Sequence, residues 1–329
     1  MRDGPSSERA LLQRLAAGAV SGNTLARESG QTRAAVWKKI AALREAGVAI
    51  DAGAGQGYRL AQPLDLLDAD AIAGALPPGV RAAVARLHVA WSLPSTNSAL
   101  LADDTPAAGC AVLLAERQTG GRGRRGREWT SPLAAHIYLS VARRFEGGLA
   151  RLGGLSLVAG VACCEALHAL GYVQVGLKWP NDLVVADAGG LRKLGGVLVE
   201  GAGETAGAAR AVIGIGLNVR MPAAAAAVID QPWIDLAGLA GELPARNAII
   251  AHVLAQLLPA LEAFDAAGLA GFLPRYAAHD VLAGRAVRVH GAEATWDATA
   301  LGIAEDGALR VRDAAGERRV HAGDVSVRA

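Results

Sequence analysis

The sequence predicts an α+β protein of several domains: an N-terminal winged helix-turn-helix, a central β-sheet with flanking helices, and a small C-terminal β-barrel of SH3-like size. Three observations lead to this prediction. The chain has 329 residues, which exceeds one average domain. It begins with helices separated by tight glycine turns and followed by two short strands, and it ends in short strands separated by turns. We place the domains at residues 1–64, 75–278 and 279–329.

Composition excludes several classes of protein. Hydrophobic residues make up 52% of the chain, which is ample for a packed core, and the net charge of +2 does not itself demand a nucleic-acid partner. The three cysteines, Cys110, Cys163 and Cys164, form neither a disulfide framework nor a metal-ligand spacing, so no metal site is predicted and we expect them to be buried. With no signal peptide and no apolar span of about twenty residues, we expect a soluble cytoplasmic protein without a membrane partner.

The first domain reads as three helices and a wing. Helices are predicted over residues 8–18 and 21–28, and Thr32 is a good N-cap for a third helix over residues 33–46. Two short strands within residues 48–60 surround a glycine-rich turn. The third helix would enter a DNA major groove. Its candidate DNA contacts are Thr32, Arg33, Trp37, Lys38 and Lys39. The alternative is a three-helix module that contacts proteins.

A loop rich in glycine and arginine, Gln118 to Arg127, follows a short apolar strand over residues 111–115. Glycine lets a backbone turn tightly and approach a ligand closely, and the planar arginine donors suit phosphate and carboxylate groups. The loop therefore predicts a site for an anionic small molecule. The alternative is a basic surface loop or an arm that contacts RNA.

Polar residues stand at the ends of the predicted central strands. Ser95, Thr96 and Asn97 follow one strand and indicate either a clamp on a neutral, amide-like ligand group or a simple helix N-cap. Three later strands have Lys178 with Asn181-Asp182, Lys193, and Asn218 at their ends. This arrangement predicts a site along one edge of the sheet.

The remaining segments connect these strands. Residues 63–67 read as a linker. A long apolar helix is predicted over residues 149–169 and an amphipathic helix over residues 246–268. Residues 220–233 have little periodic pattern and end in Trp233, which indicates a mobile flap with an aromatic latch. The alternative for this segment is a short alanine helix.

Together these residues resemble the bifunctional biotin–protein ligase and biotin operon repressor family. The resemblance covers nearly the whole chain. Its motifs are Ser95-Thr96-Asn97, the Gln118 to Arg127 loop, Lys178-Trp179-Pro180-Asn181-Asp182, Arg192-Lys193-Leu194-Gly195-Gly196, and Gly214-Ile215-Gly216-Leu217-Asn218. The resemblance implies a catalytic domain built on a mixed sheet with flanking helices, related to lipoate ligases.

The resemblance also implies roles for individual residues. Those implied to bind biotin are Ser95, Thr96, Asn97, Gln118, Arg122, Gly123, Arg124 and Lys193. Those implied on the ATP or adenylate side are Arg124, Arg127, Asn181, Asp182, Asn218 and Trp233. The implied catalytic residues are Lys193, Arg124 and Arg122. Two departures stand out: extra residues at 186–190 lengthen the loop before Lys193, and the flap is reduced to an alanine tract.

The implied activity is ATP- and Mg²⁺-dependent formation of biotinyl-5′-AMP, followed by transfer of biotin to a lysine of the biotin carboxyl carrier protein of acetyl-CoA carboxylase. The implied second role is biotin-responsive repression of biotin synthesis genes by a ligand-induced homodimer on operator DNA. Two alternatives remain: a DNA-binding biotin sensor without ligase activity, and a lipoate-type ligase.

Overall fold

The computed structural model describes residues 5–53, 56–203, 209–239, 242–291, 294–322 and 326–328. The tip of the predicted wing, at residues 54–55, lies outside the described residues, as do residues 323–325 near the C-terminus.

The N-terminal domain is a winged helix, as the sequence predicts. Its elements are α1 (Pro5–Ala16), α2 (Gly22–Glu28), α3 (Arg33–Glu45), β1 (Ile50–Gly53) and β2 (Gly57–Leu60). The Ser21 side chain accepts a hydrogen bond from the Thr24 amide and caps α2, and Thr32 caps α3 in the same way. The two strands pair antiparallel. β2 of the wing contacts α1. Only one side of α3 is buried in the core of this domain.

A seven-stranded sheet forms the centre of the molecule. Its strands are β3 (Val84–Ala90), β4 (Cys110–Ala115), β5 (Ile137–Phe145), β6 (Val175–Lys178), β7 (Asp182–Asp187), β8 (Gly190–Gly203) and β9 (Ala209–Leu217). The strand order is β3-β4-β5-β9-β8-β7-β6. β3 and β4 are parallel and the other neighbours are antiparallel, so the sheet is mixed, as the resemblance implies.

Helices cover both faces of this sheet. They are α4 (Ala69–Ala75), α5 (Pro78–Ala82), α6 (Thr96–Ala102), α7 (Leu155–Ala169), α8 (Ala223–Ala226), α9 (Arg246–Ala267) and α10 (Leu273–Ala277). α7 and α9 pack against each other in the main core. α6 packs on β4, β5 and β9 through a separate cluster that includes Leu100 and Val212. One face of the sheet is thus buried in the main core, and α6 covers only part of the other face.

Two sequence predictions need correction. The helix predicted over residues 149–169 begins at Leu155, because Gly154 has a φ of 83° and a short 3₁₀ turn occupies Leu149–Leu152. The predicted linker is also not a loose connection. Leu67 is fully buried, and its amide donates a hydrogen bond to Glu116 Oε1 at 2.6 Å.

The prediction of no apolar span of about twenty residues was wrong, because two segments, Leu149–Ala169 and Arg246–Ala267, are long and apolar enough to cross a membrane by length and composition. Most of each apolar stretch is buried inside the protein. Both segments contribute side chains to the main core, which accounts for their hydrophobicity.

The C-terminal domain is a five-stranded antiparallel sheet. Its strands are β10 (Ala286–His290), β11 (Thr295–Ile303), β12 (Leu309–Asp313), β13 (Gly316–Val320) and β14 (Ser326–Arg328), in the order β13-β12-β11-β10-β14. This confirms the predicted small β domain. Trp179 Nε1 donates to the Gly307 carbonyl at 3.0 Å, so the C-terminal domain is anchored beside the Lys178 to Asp182 motif.

The winged helix is attached to the central domain through residues 131–134. Leu133 is buried in the winged-helix core, and its amide donates to the Ala46 carbonyl at 2.8 Å. Trp91 Nε1 donates to Glu8 Oε2 at 2.9 Å. The segment that follows the glycine–arginine loop is therefore in direct contact with the N-terminal domain.

Candidate active site and DNA-binding surface

One cleft of about 1120 Å³ lies over one face of the central sheet, against β5, β9, β8 and β7, and not along the edge that the sequence predicted. All the residues predicted to bind ligand or act in catalysis contribute to its lining: Ser95, Thr96, Asn97, Gln118, Arg122, Gly123, Arg124, Arg127, Asn181, Asp182, Lys193, Asn218 and Trp233. Strand ends, the glycine–arginine loop and the end of the predicted flap thus meet at one place. Their individual roles remain predictions.

Ser95 and Thr96 are fixed at the start of α6. Ser95 is the N-cap, as the simpler alternative predicts, because its Oγ accepts from the Ser98 amide at 3.4 Å. Gln118 Oε1 accepts two hydrogen bonds from Thr96, one from the amide at 2.9 Å and one from Oγ1 at 3.1 Å. The first helical turn and the start of the loop are therefore joined by side chains that line the cleft.

Asn97 is held on all sides by the sheet. Its Nδ2 donates to the Leu198 carbonyl at 3.2 Å and to Glu200 Oε2 at 2.8 Å, and Ser140 Oγ lies 2.6 Å from its Oδ1. A Cβ added at Gly214 would lie 2.3 Å from that Oδ1. The glycine of β9 is therefore required for Asn97 to fit against the strand.

The glycine–arginine loop is closed by its own backbone. The Gly123 amide donates to the Arg127 carbonyl at 2.7 Å, and the Trp129 amide donates to the Gly121 carbonyl at 2.9 Å. Arg125 has a φ of 58°, in the left-handed region that non-glycine residues seldom adopt. The loop is thus a defined turn within the described residues.

Two of its arginines are directed at opposite ends of the cleft. Arg122 donates to Ser98 Oγ at 2.8 Å and lies 3.4 Å from Glu200 Oε1. Arg124 donates to Asn181 Oδ1 at 3.3 Å and also to the Ala322 carbonyl of the C-terminal domain. Burial lowers the pKa of Arg124 from its usual value. Its half-desolvated charge, held by neutral acceptors, would therefore be stabilised by an anionic ligand.

Lys193 lies on β8 between an acid and an aromatic ring. Its Nζ is 2.7 Å from Asp182 Oδ1 and 5.4 Å from the centre of the Trp129 ring. Its backbone joins the end of the predicted flap, since the Lys193 amide donates to the Pro232 carbonyl and the Ile234 amide donates to Lys193. The cation is consequently positioned by both the sheet and the segment after the flap.

Residues 220–233 follow the alternative prediction in part. They contain α8, a one-turn helix of four alanines. The Asn218 side chain secures the end of this segment by donating from Nδ2 to the Ile234 carbonyl at 3.1 Å. Trp233 is half-buried, and its backbone forms an isolated parallel β-bridge with that of Lys193. The segment thus reaches the cleft at its C-terminal end.

The extra residues before Lys193 do not form a long loop. They extend β7 and β8 into a hairpin, in which Asp187 pairs with Gly190 and Ala186 pairs with Leu191. Asp187 Oδ1 accepts from the Gly189 amide at 2.9 Å. The lengthening predicted from the sequence is therefore regular structure.

Sequence reasoning missed three residues of the cleft region. Trp129 stacks near Lys193, while Ser140 and Glu200 hold Asn97. Gly216 gave an indirect signal, because a Cβ there would lie 2.6 Å from the Trp129 ring. The alternating glycines of β9 are thus the sequence signal that larger side chains pack on one face of this strand.

The N-terminal domain presents a separate polar surface. On α3, Val36, Ile40 and Leu43 are buried in the winged-helix core. The predicted DNA contacts are on the outer side: Thr32, Arg33, Trp37 and Lys38 are exposed and Lys39 is half-buried. Trp37 is 61% exposed, which is unusual for an aromatic residue. An exposed, basic helix beside a wing fits a DNA major groove.

Comparisons with known proteins match each part of this architecture. Family models match over residues 8–59 (HTH domain), 91–218 (Biotin/lipoate A/B protein ligase family) and 283–328 (Biotin protein ligase C terminal domain). The chain is 39% identical over 308 residues to the bifunctional ligase/repressor BirA of Escherichia coli strain K12, covering 94% of this chain and 92% of that protein.

More distant similarities agree. The bifunctional ligase/repressor BirA of Bacillus subtilis strain 168 is 27% identical over 309 residues, covering 94% of each chain. Among solved structures, the biotin protein ligase from Aquifex aeolicus in complex with biotin and ATP has a TM-score of 0.62 at 26% identity, covering 74% of this chain and 99% of that one.

Proposed function

Because the chain belongs to the family of bifunctional biotin protein ligases and repressors, we propose that it activates biotin with ATP, transfers it to a protein lysine, and represses transcription. The family named by the sequence motifs is confirmed. The observation that supports the ligase role most strongly is the single cleft in which two arginines, Lys193 and the polar clamp at residues 95–97 meet.

The reaction brings two anions together. A carboxylate oxygen of biotin attacks the α-phosphorus of ATP, forming an O–P bond as the bond to pyrophosphate breaks. Arg122, Arg124 and Lys193 would stabilise the charge that develops at this point. In the second step a lysine amine attacks the acyl carbon, AMP leaves, and the amine gives up a proton. A fixed cluster of cations therefore suits the first step.

The two ends of the cleft suit the two substrates. We assign biotin to the side of Ser95, Thr96, Asn97, Gln118 and Gly123, where amide and hydroxyl groups suit a neutral, hydrogen-bonding ring. We assign the adenylate to the side of a second set of residues: Arg127, Asn181, Asp182, Asn218 and Trp233. Asn181 and Asp182 offer the oxygen atoms that Mg²⁺ prefers, and the ion would neutralise the departing phosphates.

The test of the ligase assignment is ATP–pyrophosphate exchange in the presence of biotin. Lys193→Ala and Arg124→Ala should each lower the exchange rate by roughly 10²–10³. Lys38→Ala, on the N-terminal domain, is the matched lysine control and should exchange at the parent rate. Normal exchange by Lys193→Ala would refute its catalytic role, and no exchange by the parent protein would leave only a biotin sensor.

The second role rests on the exposed side of α3. We propose that two ligand-loaded chains form a homodimer and place two winged helices on operator DNA of biotin synthesis genes, with Thr32 and Arg33 near base edges and Lys38 and Lys39 near phosphates. Trp37, exposed between them, would lie against the DNA backbone or a thymine methyl. Both roles would be carried out in the cytoplasm. The acceptor in the ligase reaction would be the biotin carboxyl carrier protein of acetyl-CoA carboxylase.

DNA binding is tested by titrating operator DNA at several salt concentrations with biotin and ATP present. Losing one phosphate contact in Lys38→Ala should reduce the slope of log K against log salt by about 1. Its ligase activity should remain, which shows that the protein is folded. A binding curve that does not respond to biotin would exclude the repressor role, and sedimentation of each mixture reports the dimer.

A further inference from the structure

A cysteine and two histidines meet behind the sheet, on the side of α7. Cys164 and His168 are four residues apart on this helix, so they share one face. His279 follows α10 and approaches the same place, with its ring centre 4.8 Å from that of His168 and perpendicular to it. The ligand atoms of the three side chains all lie within 4.8 Å of one another. None of them takes part in the cleft.

The distances within this group are close to those of a metal centre. With Zn–S of about 2.3 Å and Zn–N of about 2.0–2.1 Å, a tetrahedral angle separates the ligand atoms by about 3.6 Å. Cys164 Sγ and His168 Nε2 are 3.5 Å apart. The pair on the helix therefore needs no backbone movement to share one ion, and His279 needs a side-chain shift of about an ångström or so.

We propose that Cys164, His168 and His279 form a binding site for a borderline-soft metal ion, with Zn²⁺ as its simplest occupant. One thiolate and two imidazoles are ligands that select zinc over magnesium or calcium. The neighbouring Cys163 points elsewhere, since adjacent helix residues do not share a face. The three-ligand set leaves a fourth position for water.

Metal binding would replace the hydrogen bonds that Cys164 and His168 make to the Val175 carbonyl. Cys164 Sγ donates to the Val175 carbonyl at 3.3 Å, and His168 Nε2 lies 2.7 Å from the same oxygen. On binding, the S–H bond breaks, an S–Zn bond forms, and the proton goes to solvent. His168 Nε2 donates its proton to the Val175 carbonyl, so binding through Nε2 would require the Nε2 proton to pass to solvent while Nδ1 takes one up, giving the other neutral tautomer; alternatively the ring turns to offer Nδ1. No oxidant or reductant is required.

The site would join two parts of the molecule. The His279 carbonyl accepts from the Leu177 amide at 2.7 Å, and the Val281 amide donates to the Leu177 carbonyl at 3.0 Å. The segment at the start of the C-terminal domain thus pairs with β6, which leads into the motif beginning at Lys178. A metal ion at this point would tie α7, β6 and that junction together. We therefore infer a stabilising ion outside the reaction itself.

The experiment uses the full chain, stripped with chelator and titrated with Zn²⁺ or Co²⁺. The parent and the matched control Cys163→Ser should bind one ion per chain and show a thiolate-to-Co²⁺ charge-transfer band. Cys164→Ser should lose the band, and His279→Asn should bind more than about 100-fold more weakly. Circular dichroism and Tm of the metal-free variants show whether each one is folded.

X-ray absorption of the zinc-loaded parent gives a second readout that does not depend on any variant. It should show one sulfur at about 2.3 Å and two nitrogens at about 2.0–2.1 Å. The proposal is overturned if the parent gives no charge-transfer band, if Cys164→Ser keeps it, or if the absorption data contain no sulfur ligand. Because ATP–pyrophosphate exchange is measured separately, this result is independent of the ligase assignment.

Discussion

At the scale of single residues, a buried polar network supports the strand that leads into the glycine–arginine loop. Glu116 Oε2 accepts from Arg246 Nη2 at 2.8 Å, and its Oε1 accepts from the Leu67 amide at 2.6 Å. Arg246 Nη1 also donates to the His136 carbonyl at 3.0 Å. Both charged side chains are almost fully buried. The cation and the carboxylate therefore depend on each other for their burial.

Replacing one member of this pair should be costly. Glu116→Gln would leave the Arg246 charge buried without its carboxylate and should lower the free energy of unfolding by about 3–5 kcal/mol, measured by chemical denaturation. The matched control is Glu28→Gln in the exposed Arg14–Glu28 pair, which should change stability by less than about 1 kcal/mol. Equal losses in the two variants would contradict the prediction.

His136 should make stability depend on pH. It is fully buried, its Nδ1 accepts from the Val219 amide at 3.0 Å, and burial lowers the pKa of His136 to about 3. The unfolded chain protonates this histidine near pH 6.5, while the folded protein does not. Its contribution to stability is therefore complete above about pH 6.5 and is lost progressively as the pH falls toward about 3.

The measurement is the free energy of unfolding of the parent and His136→Asn between pH 7.5 and 4.5. The difference between the two proteins should shrink as the pH falls, by up to about 1.4 kcal/mol per pH unit below pH 6.5. A difference that stays constant with pH would show that His136 titrates normally in the folded protein.

At the scale of elements, β9 makes the cleft possible by lacking side chains on one face. Gly214 leaves space for Asn97 and Gly216 leaves space for the Trp129 ring. The Asn97 side chain and the Trp129 ring therefore both pack directly on the backbone of β9. A sheet strand rich in glycine is ordinarily weak, so the packing of these two side chains replaces what the glycines lack.

Gly214→Ala should disrupt biotin binding, because its new Cβ would lie 2.3 Å from Asn97 Oδ1. We expect a loss of about tenfold or more in biotin affinity, the equivalent of 1.4 kcal/mol, measured by calorimetry. The control is Gly74→Ala in α4, where a Cβ meets nothing within 4 Å and stability should rise by about 0.5–1 kcal/mol. Unchanged biotin affinity in Gly214→Ala would refute the packing argument.

At the scale of the whole molecule, one short segment links the DNA-binding surface to the cleft. Leu133 lies in the winged-helix core and its amide donates to the Ala46 carbonyl, while the next amide, that of Ala134, donates to the Glu116 backbone carbonyl at 3.0 Å. Glu116 immediately precedes the residues that lead into the loop. We propose that these two hydrogen bonds and the buried Leu133 side chain couple the conformation of the loop to the N-terminal domain.

Leu133→Ala should loosen this attachment. We expect a loss of about 2–5 kcal/mol from the cavity it leaves, seen as faster hydrogen exchange of the α1 and α3 amides, together with weaker biotin binding. Trp37→Ala is the control, because that exposed side chain should change stability by no more than about 0.5 kcal/mol. Hydrogen exchange limited to residues near 133 would contradict the proposed coupling.

The sequence predicted elements and site positions well where the signal was local. A short stretch of sequence is enough to predict each of three features: polar residues at strand ends, helix caps such as Thr32, and the glycine–arginine loop. Contacts between distant residues could not be predicted in this way. Asn97 and Glu200 are 103 residues apart. Glu116 accepts from the Leu67 amide and Asn247 donates to the Leu66 carbonyl, both from distant parts of the chain. The start of α7 was missed because Gly153 and Gly154 lie between leucine-rich stretches that together resemble one helix.

The ion pair between Lys193 and Asp182 bears on self-modification by the proposed enzyme. A mixed anhydride acylates any amine that has a free lone pair. Of the four lysines of this chain, Lys178 and Lys193 line the cleft, and Lys193 is the one predicted to lie beside the reacting carboxylate. With its Nζ 2.7 Å from Asp182 Oδ1, the Lys193 nitrogen is engaged in an ion pair and is not presented as a nucleophile. Biotinyl-5′-AMP would therefore not acylate Lys193 and would remain intact until the lysine of the acceptor protein reaches the cleft.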